Sequence, residues 1–245
     1  MFNPQRIFEE GQPVHIISRA VDGKKIFADR DDCCRFIFQI YAANTGSPAY
    51  NLRRKDINKA AMDLLRGHEI PSDLLIKGQA PLVHILDFAL VVNHYHLYVL
   101  ANSQNGIPIF MRKLNIGFAK HFNLKNKRRG TLFESRYKCV LIETDFQSDA
   151  VSRYIGVINP LDVFQPGWRE GGLENPEQAL DFLENYEFSS FPDRIRKRAA
   201  KILAPLEIRE KYWPEAEQKN QDYLNFIKGF LAERKINASE PLFLE

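Results

Sequence analysis

Val91-Val92-Asn93-His94-Tyr95-His96-Leu97-Tyr98-Val99-Leu100 sets two histidines two positions apart inside an apolar run. In an extended strand successive side chains alternate faces. His94 and His96 therefore point the same way, with Tyr98 and Leu100 continuing that face, while Tyr95 points to the other. Two imidazoles one strand-step apart can ligate a single divalent ion. A pair of partly buried structural histidines satisfies the same spacing, so the residues around the pair carry the decision.

Immediately upstream, Leu82 to Val92 is apolar on both faces, the pattern of a central strand. Its closeness to the His94 run predicts an antiparallel hairpin. Residues 13–21, rich in β-branched side chains and followed by Asp22-Gly23, read as a first strand with His15 and Arg19 on one face. Acidic residues from Asp29 to Asp32 then start a helix that carries Phe36, Ile37, Ile40 and Tyr41. Residues 43–80 read as an insertion, with a break at Gly46-Ser47-Pro48 and a short helix over Ile57–Leu65.

Downstream of the hairpin, apolar spacing predicts a helix from Ile107 to Phe122, ended by the basic turn Lys125–Gly130, and then an extended segment from Thr131 to Ile142. A further helix begins near Asp145. Phe146, Ala150, Tyr154 and Ile158 share its apolar stripe, and Asn159-Pro160 is expected to end it. This order predicts an α+β domain with a ferredoxin-like, mainly antiparallel sheet over residues 1–165. Residues 166–245 read as a helical C-terminal extension, with helices near Pro176–Tyr186 and Gln221–Leu231.

The 245 residues can bury a sizeable core, and a formal charge of +3 with 44% hydrophobic residues is that of an ordinary globular chain. Charge is concentrated locally. Lys125, Lys127, Arg128 and Arg129 form one basic cluster and Arg53, Arg54 and Lys55 another, each able to hold a phosphate backbone or simply to face water. Cys33, Cys34 and Cys139 show no metal-like spacing. With no signal-peptide pattern and no apolar run of membrane-spanning length, a reducing cytoplasm is the expected compartment. Gly-rich phosphate loops, Cys-x-x-Cys pairs and a Gly-x-Ser-x-Gly elbow do not occur.

Several segments together resemble the single-tyrosine HUH transposases of the insertion-sequence-200-like type, above all the REP-associated branch. They are His15-Ile16-Ile17-Ser18-Arg19, Asn93-His94-Tyr95-His96-Leu97, Gly130 to Lys138, Ser152-Arg153-Tyr154-Ile155 and Asn159-Pro160, in the family's order. Leu183-Glu184-Asn185-Tyr186 with Ser189-Ser190 is similar to the tail of longer members.

The resemblance implies metal-dependent nicking and joining of single-stranded, hairpin-bearing DNA from a repeat or transposon end. His94 and His96 would hold Mg2+ or Mn2+. Tyr154 would attack a phosphate to give a 5′-phosphotyrosine link and a free 3′ hydroxyl. The Asn of the Asn-Pro pair, Asn159, would be the third ligand. Arg19, Arg136 and Lys138, with the Lys125, Lys127, Arg128 and Arg129 turn, are the expected DNA contacts. The chain is expected to act as a monomer or a homodimer. One departure stands out. The family's Asn follows the tyrosine by one helical turn, yet position i+4 here is Ile158 and Asn159 is at i+5. In a regular helix that turns Asn159 about 140° from Tyr154. Either a local bulge restores its direction, another group completes the shell, or the site is impaired. In the last case the chain would be a domesticated hairpin-DNA- or RNA-binding protein without cleavage.

Overall fold

A computed structural model of the chain describes residues 7–46, 56–75, 78–213 and 220–236. The basic cluster Arg53, Arg54 and Lys55 and the break residues Ser47 and Pro48 lie outside the described residues. Four strands, β1 (Pro13–Arg19), β2 (Val83–Val91), β3 (His94–Ala101) and β4 (Lys138–Leu141), form one sheet in the order β2-β3-β1-β4. Every pairing is antiparallel. Helix α1 (Arg30–Thr45) follows β1, and α3 (Gly106–Lys125) joins β3 to β4. This is the ferredoxin-like α+β arrangement that the order of apolar patterns predicts. Between α1 and β2, α2 (Ile57–Leu65) buries Ala60, Ala61, Leu64 and Leu65 in the main core.

The sheet separates two layers. Tyr95, Leu97 and Val99 of β3 face Phe36 of α1 and Phe110, Leu114 and Phe118 of α3 in the main core. The alternate residues His94, His96 and Tyr98 face the other way. That second face is roofed by α4 (Asp145–Arg153), a π-helical turn over Tyr154–Ile158, and α5 (Asn159–Phe164). Then come α6 (Trp168–Gly171), α7 (Pro176–Asn185), α8 (Phe191–Arg194), α9 (Leu206–Arg209) and α10 (Asn220–Ile236). Residues of α7 and α10 pack on Tyr154, Val157, Ile158 and Leu161.

Three expectations are corrected. β2 is an edge strand, not a central one, although both its faces are buried. Its outer edge is covered by the C-terminal segment: Ser190 N–H donates to Phe88 O (2.9 Å), Leu90 N–H to Phe188 O (2.9 Å) and Ala204 N–H to Ile85 O (2.8 Å). Apolar patterning reports burial, and a covered edge reads like a centre. Second, the helix does not stop at Asn159-Pro160 but continues to Phe164. The proline lacks an N–H, and the preceding π turn accommodates the missing donor. Third, Phe146 is not on the buried stripe but is 80% exposed, because it lies in the first turn of α4, beyond the sheet's cover.

Candidate active site

Cross-strand register builds the floor of the site. In the β1–β3 pairing Ile17 sits opposite His96 and Arg19 opposite His94, while His15 opposes Tyr98. Directly opposed residues share a face. His15, His94 and His96 therefore gather on the helix-roofed face. His15 Nε2 lies 3.0 Å from His96 Nδ1, with the rings stacked at 5.3 Å. The two-residue turn before β3 supplies Asn93, whose Oδ1 accepts from His94 Nδ1 at 2.6 Å.

Both hydrogen bonds engage Nδ1 of a histidine on β3. The Asn93 carbonyl oxygen can only accept, so His94 Nδ1 carries the proton and its Nε2 the lone pair, while between His15 and His96 either ring nitrogen can be the donor. His96 Nε2 is buried and has no hydrogen-bond partner. A second hydrogen bond that fixes the tautomer is the usual support of a metal-binding histidine. Burial pushes the pKa of His15 and of His94 down to about 4 and that of His96 well below its ordinary value. For His94 and His96 the positive charges of Arg19 and Arg169 add to the effect. At neutral pH the imidazoles are in their neutral, ligating form.

Above them, the π turn resolves the phase of Asn159. Its N–H bonds Tyr154 O, five residues back rather than four. The wider turn brings residue i+5 toward the side of the helix that a regular α-helix gives to i+4. Tyr154 is 4% exposed, and its ring stands edge-on to His96 at 5.5 Å and to His15 at 6.1 Å. Asn159, 1% exposed, accepts at Oδ1 from Arg169 Nη2 at 3.4 Å.

Arg169 belongs to α6, in the extension. Its guanidinium forks onto Asp162, with Nε to Oδ1 at 3.0 Å and Nη2 to Oδ2 at 2.8 Å, and lies 5.8 Å from the Tyr154 ring centre. Trp168 Nε1 also donates to Asp162 Oδ1, at 2.8 Å. A bidentate fork holds a guanidinium in one orientation.

The fold thus brings His94, His96, Tyr154, Asn159 and Arg19 to one place. Lys138 opposes Ile17 across the β1–β4 pairing and shares the same face, and Arg136 is exposed just before it. The basic turn lies elsewhere. Lys125 is committed to Asp29 (2.8 Å) and Asp32 (2.9 Å), and Arg128 to Asn123 Oδ1 (2.8 Å) and Thr131 O (2.6 Å), whereas Lys127 and Arg129 are exposed. Sequence reasoning missed His15, Asp162 and Arg169. His15 shares a strand face with Arg19, a signal that was available; Arg169 and Asp162 come together only through the fold.

A second group of metal-ligand type, Asp31, Asp32 and His121, has ligand atoms within 4.8 Å of one another. It sits between α1 and α3, on the opposite side of the sheet. His121 Nε2 is 3.4 Å from Asp32 Oδ1, and the Lys125 ammonium already supplies a cation to the two acids Asp29 and Asp32.

No protein-family model matches the chain, and no curated protein matches it. A solved structure of a REP-associated tyrosine transposase bound to a REP hairpin is similar at 12% identity with a TM-score of 0.47, over 84% of this chain and 92% of that one. A likeness at that level carries no argument about chemistry, which rests on the residues above. No described helix is long and apolar enough to cross a membrane.

Proposed function

We propose that the chain nicks and rejoins single-stranded DNA, with Tyr154 as nucleophile and His94, His96 and Asn159 as the ligands of a divalent metal, Mg2+ or Mn2+. The observation that carries this reading is the π turn over Tyr154–Ile158, whose backbone bond from Asn159 N–H to Tyr154 O supports for the i+5 residue a direction close to that of i+4 in a regular helix. The donor set fits such an ion. Two neutral imidazoles with Nδ1 engaged and one carboxamide leave positions for water and phosphate oxygens. Bound there, the ion would polarise the scissile phosphate and stabilise charge on its oxygens.

The chain's own residues supply the rest. Tyr154 Oη attacks phosphorus, the P–O3′ bond breaks, the phenol proton leaves to solvent or a neighbouring base, and O3′ departs as a hydroxyl. The strand's 5′ phosphate stays on the tyrosine. A free phenol has a pKa of about 10, so the attack needs a cationic surrounding. Arg169, near the Tyr154 ring, and Arg19, opposite His94, provide positive charge for the phosphate. Reversal with another 3′ hydroxyl rejoins the strand. The substrate is a hairpin-bearing strand from a repeat or transposon end, with Lys138 and Arg136 as further backbone contacts.

The test is an adduct assay: labelled single-stranded hairpin DNAs, manganese, and denaturing gels of the wild type, Tyr154→Phe and His94→Ala. A protease-sensitive labelled band that needs Tyr154, His94 and metal is expected. Tight hairpin binding by all three proteins without a band would replace the nuclease by a binding protein.

A further inference from the structure

Between the end of α5, α7 and the start of α1 lies a cleft of about 670 Å³, within the range of roughly 300–1,000 Å³ of small-molecule sites. One wall is a face of α7 that presents Gln178, Asp181, Phe182, Asn185 and Tyr186 at helical spacing. The end of α5 adds Val163 and Phe164. Three half-buried rings form a column there. Phe164 and Phe182 are 5.3 Å apart between centres, and Phe182 and Tyr186 are 4.9 Å apart and tilted by only 25°. Tyr186 Oη donates to Leu90 O at 2.8 Å, so this ring is anchored to the sheet and its polar end is turned away from the cleft.

The polar rim is rich in acceptors. Asn185 Nδ2 is occupied by Asp181, at 2.8 Å to the carbonyl and 3.1 Å to Oδ1, which leaves the Asn185 carbonyl oxygen as the outward function. Asp181 adds a carboxylate, and the Arg30 charge on the far side is paired with Glu187 at 2.8 Å. Such a rim repels a phosphate and suits a flat ring bearing N–H donors. A polynucleotide has one part of that description, an unpaired base with an exocyclic amino group. Asn159 opens α5 at the site and Phe164 closes it at the cleft, about 8 Å along the axis.

We infer that this cleft takes one unpaired, amino-bearing nucleobase of the bound strand, stacked on the Phe164–Phe182–Tyr186 column and read at its amino edge by Asp181 and Asn185. The inference rests on the single-strand DNA reading and adds a base preference to it.

Cytosine presents an amino donor at C4 beside a bare N3, whereas uracil presents a carbonyl at C4 beside an N3–H, so labelled deoxycytidine and deoxyuridine homopolymers of equal length are the probes of a site that reads the C4 amino group. Fluorescence anisotropy of the wild type should show the cytidine strand bound about tenfold more tightly, the value of a hydrogen bond to a charged acceptor. Phe182→Ala should remove that preference by weakening the cytidine strand alone. Asp181→Ala, at an exposed position where folding is not at stake, gives a sign that simple electrostatics does not. Losing a negative charge raises affinity for both strands, yet the preference should fall toward unity.

Equal binding of the two strands by the wild type, a preference untouched by either variant, or no binding of either strand would each overturn the inference. A Tyr154-dependent adduct on hairpin DNA without a cytidine preference would sink the cleft and leave the nuclease. The preference without an adduct would leave the cleft on a binding protein.

Discussion

Replacing Asp87 by alanine should cost the fold far more than an average substitution. Asp87 sits at the irregularity of β2, where the register with β3 shifts between Ile85 and Asp87, and it is 1% exposed. Its carboxylate accepts from three elements: Ser152 Oγ of α4, Ser190 Oγ at 2.8 Å, and Trp213 Nε1 at 3.0 Å. Burial pushes its pKa up, opposed by the Arg194 charge and these three donors. Removing the carboxylate leaves the Ser152 hydroxyl and the Trp213 N–H without an acceptor, each a penalty of about 1–3 kcal/mol, leaves Ser190 Oγ with only its longer bond to Phe88 O (3.3 Å), and takes one of two negative charges from Arg194, whose other partner is Asp149. Non-additivity brings the expected loss to about 3–5 kcal/mol. For a chain of this size that is of the order of 10 °C in Tm. Trp213→Phe, which removes one donor and the five-membered half of a buried indole but keeps an aromatic ring, should lose about 1–3 kcal/mol. Urea denaturation followed by circular dichroism measures both. An Asp87→Ala protein within about 1 kcal/mol of wild type, the precision of the method, would refute the idea that this carboxylate ties α4 and the C-terminal segment to the sheet.

Further outcomes follow from the same structure. His15 and His94 have folded pKa values of about 4, below the unfolded value of about 6.5. The unfolded chain therefore binds protons first. Stability is full above about pH 6.5 and falls as pH drops toward 4, by up to about 3 kcal/mol for each group. Denaturation at a series of pH values should show this slope, and His15→Gln should flatten it; an unchanged slope would contradict the burial of a neutral His15. Gly106 opens α3 where a Cβ would lie 2.3 Å from Leu82 O, so Gly106→Ala should cost about 1–3 kcal/mol by thermal melting. Arg169→Ala should slow adduct formation more than it weakens DNA binding, read from single-turnover rates beside anisotropy, because its charge lies at the Tyr154 ring.

How much of this was legible differs by element. The strand pair around Asn93 and the placement of His94 and His96 on one face follow from alternation alone, and Tyr95 indeed turns into the opposite core, where its hydroxyl bonds Asn115. The phase of Asn159 was not legible. A π turn is a backbone choice that 3.6-residue periodicity does not encode, and Pro160 hints only at disturbance. Arg169 and Asp162 stay hidden because a charged pair seven residues apart looks solvated until the chain folds it over the tyrosine. The same holds for Asp87 and Trp213, whose contact spans 126 positions. In the basic turn the charge cluster alone does not reveal that Lys125 pairs with Asp29 and Asp32 and Arg128 with Asn123 and Thr131.

The most direct measurement of the central claim is to digest the protein–DNA adduct with nuclease and protease and locate the remaining nucleotide by mass spectrometry. The expected result is a phosphonucleotide on the peptide containing Tyr154, absent from Tyr154→Phe and from protein kept in chelator. A nucleotide carried by a different residue, Tyr137 for instance, or an adduct that forms equally well without His94 and His96, would contradict the assignment of this site.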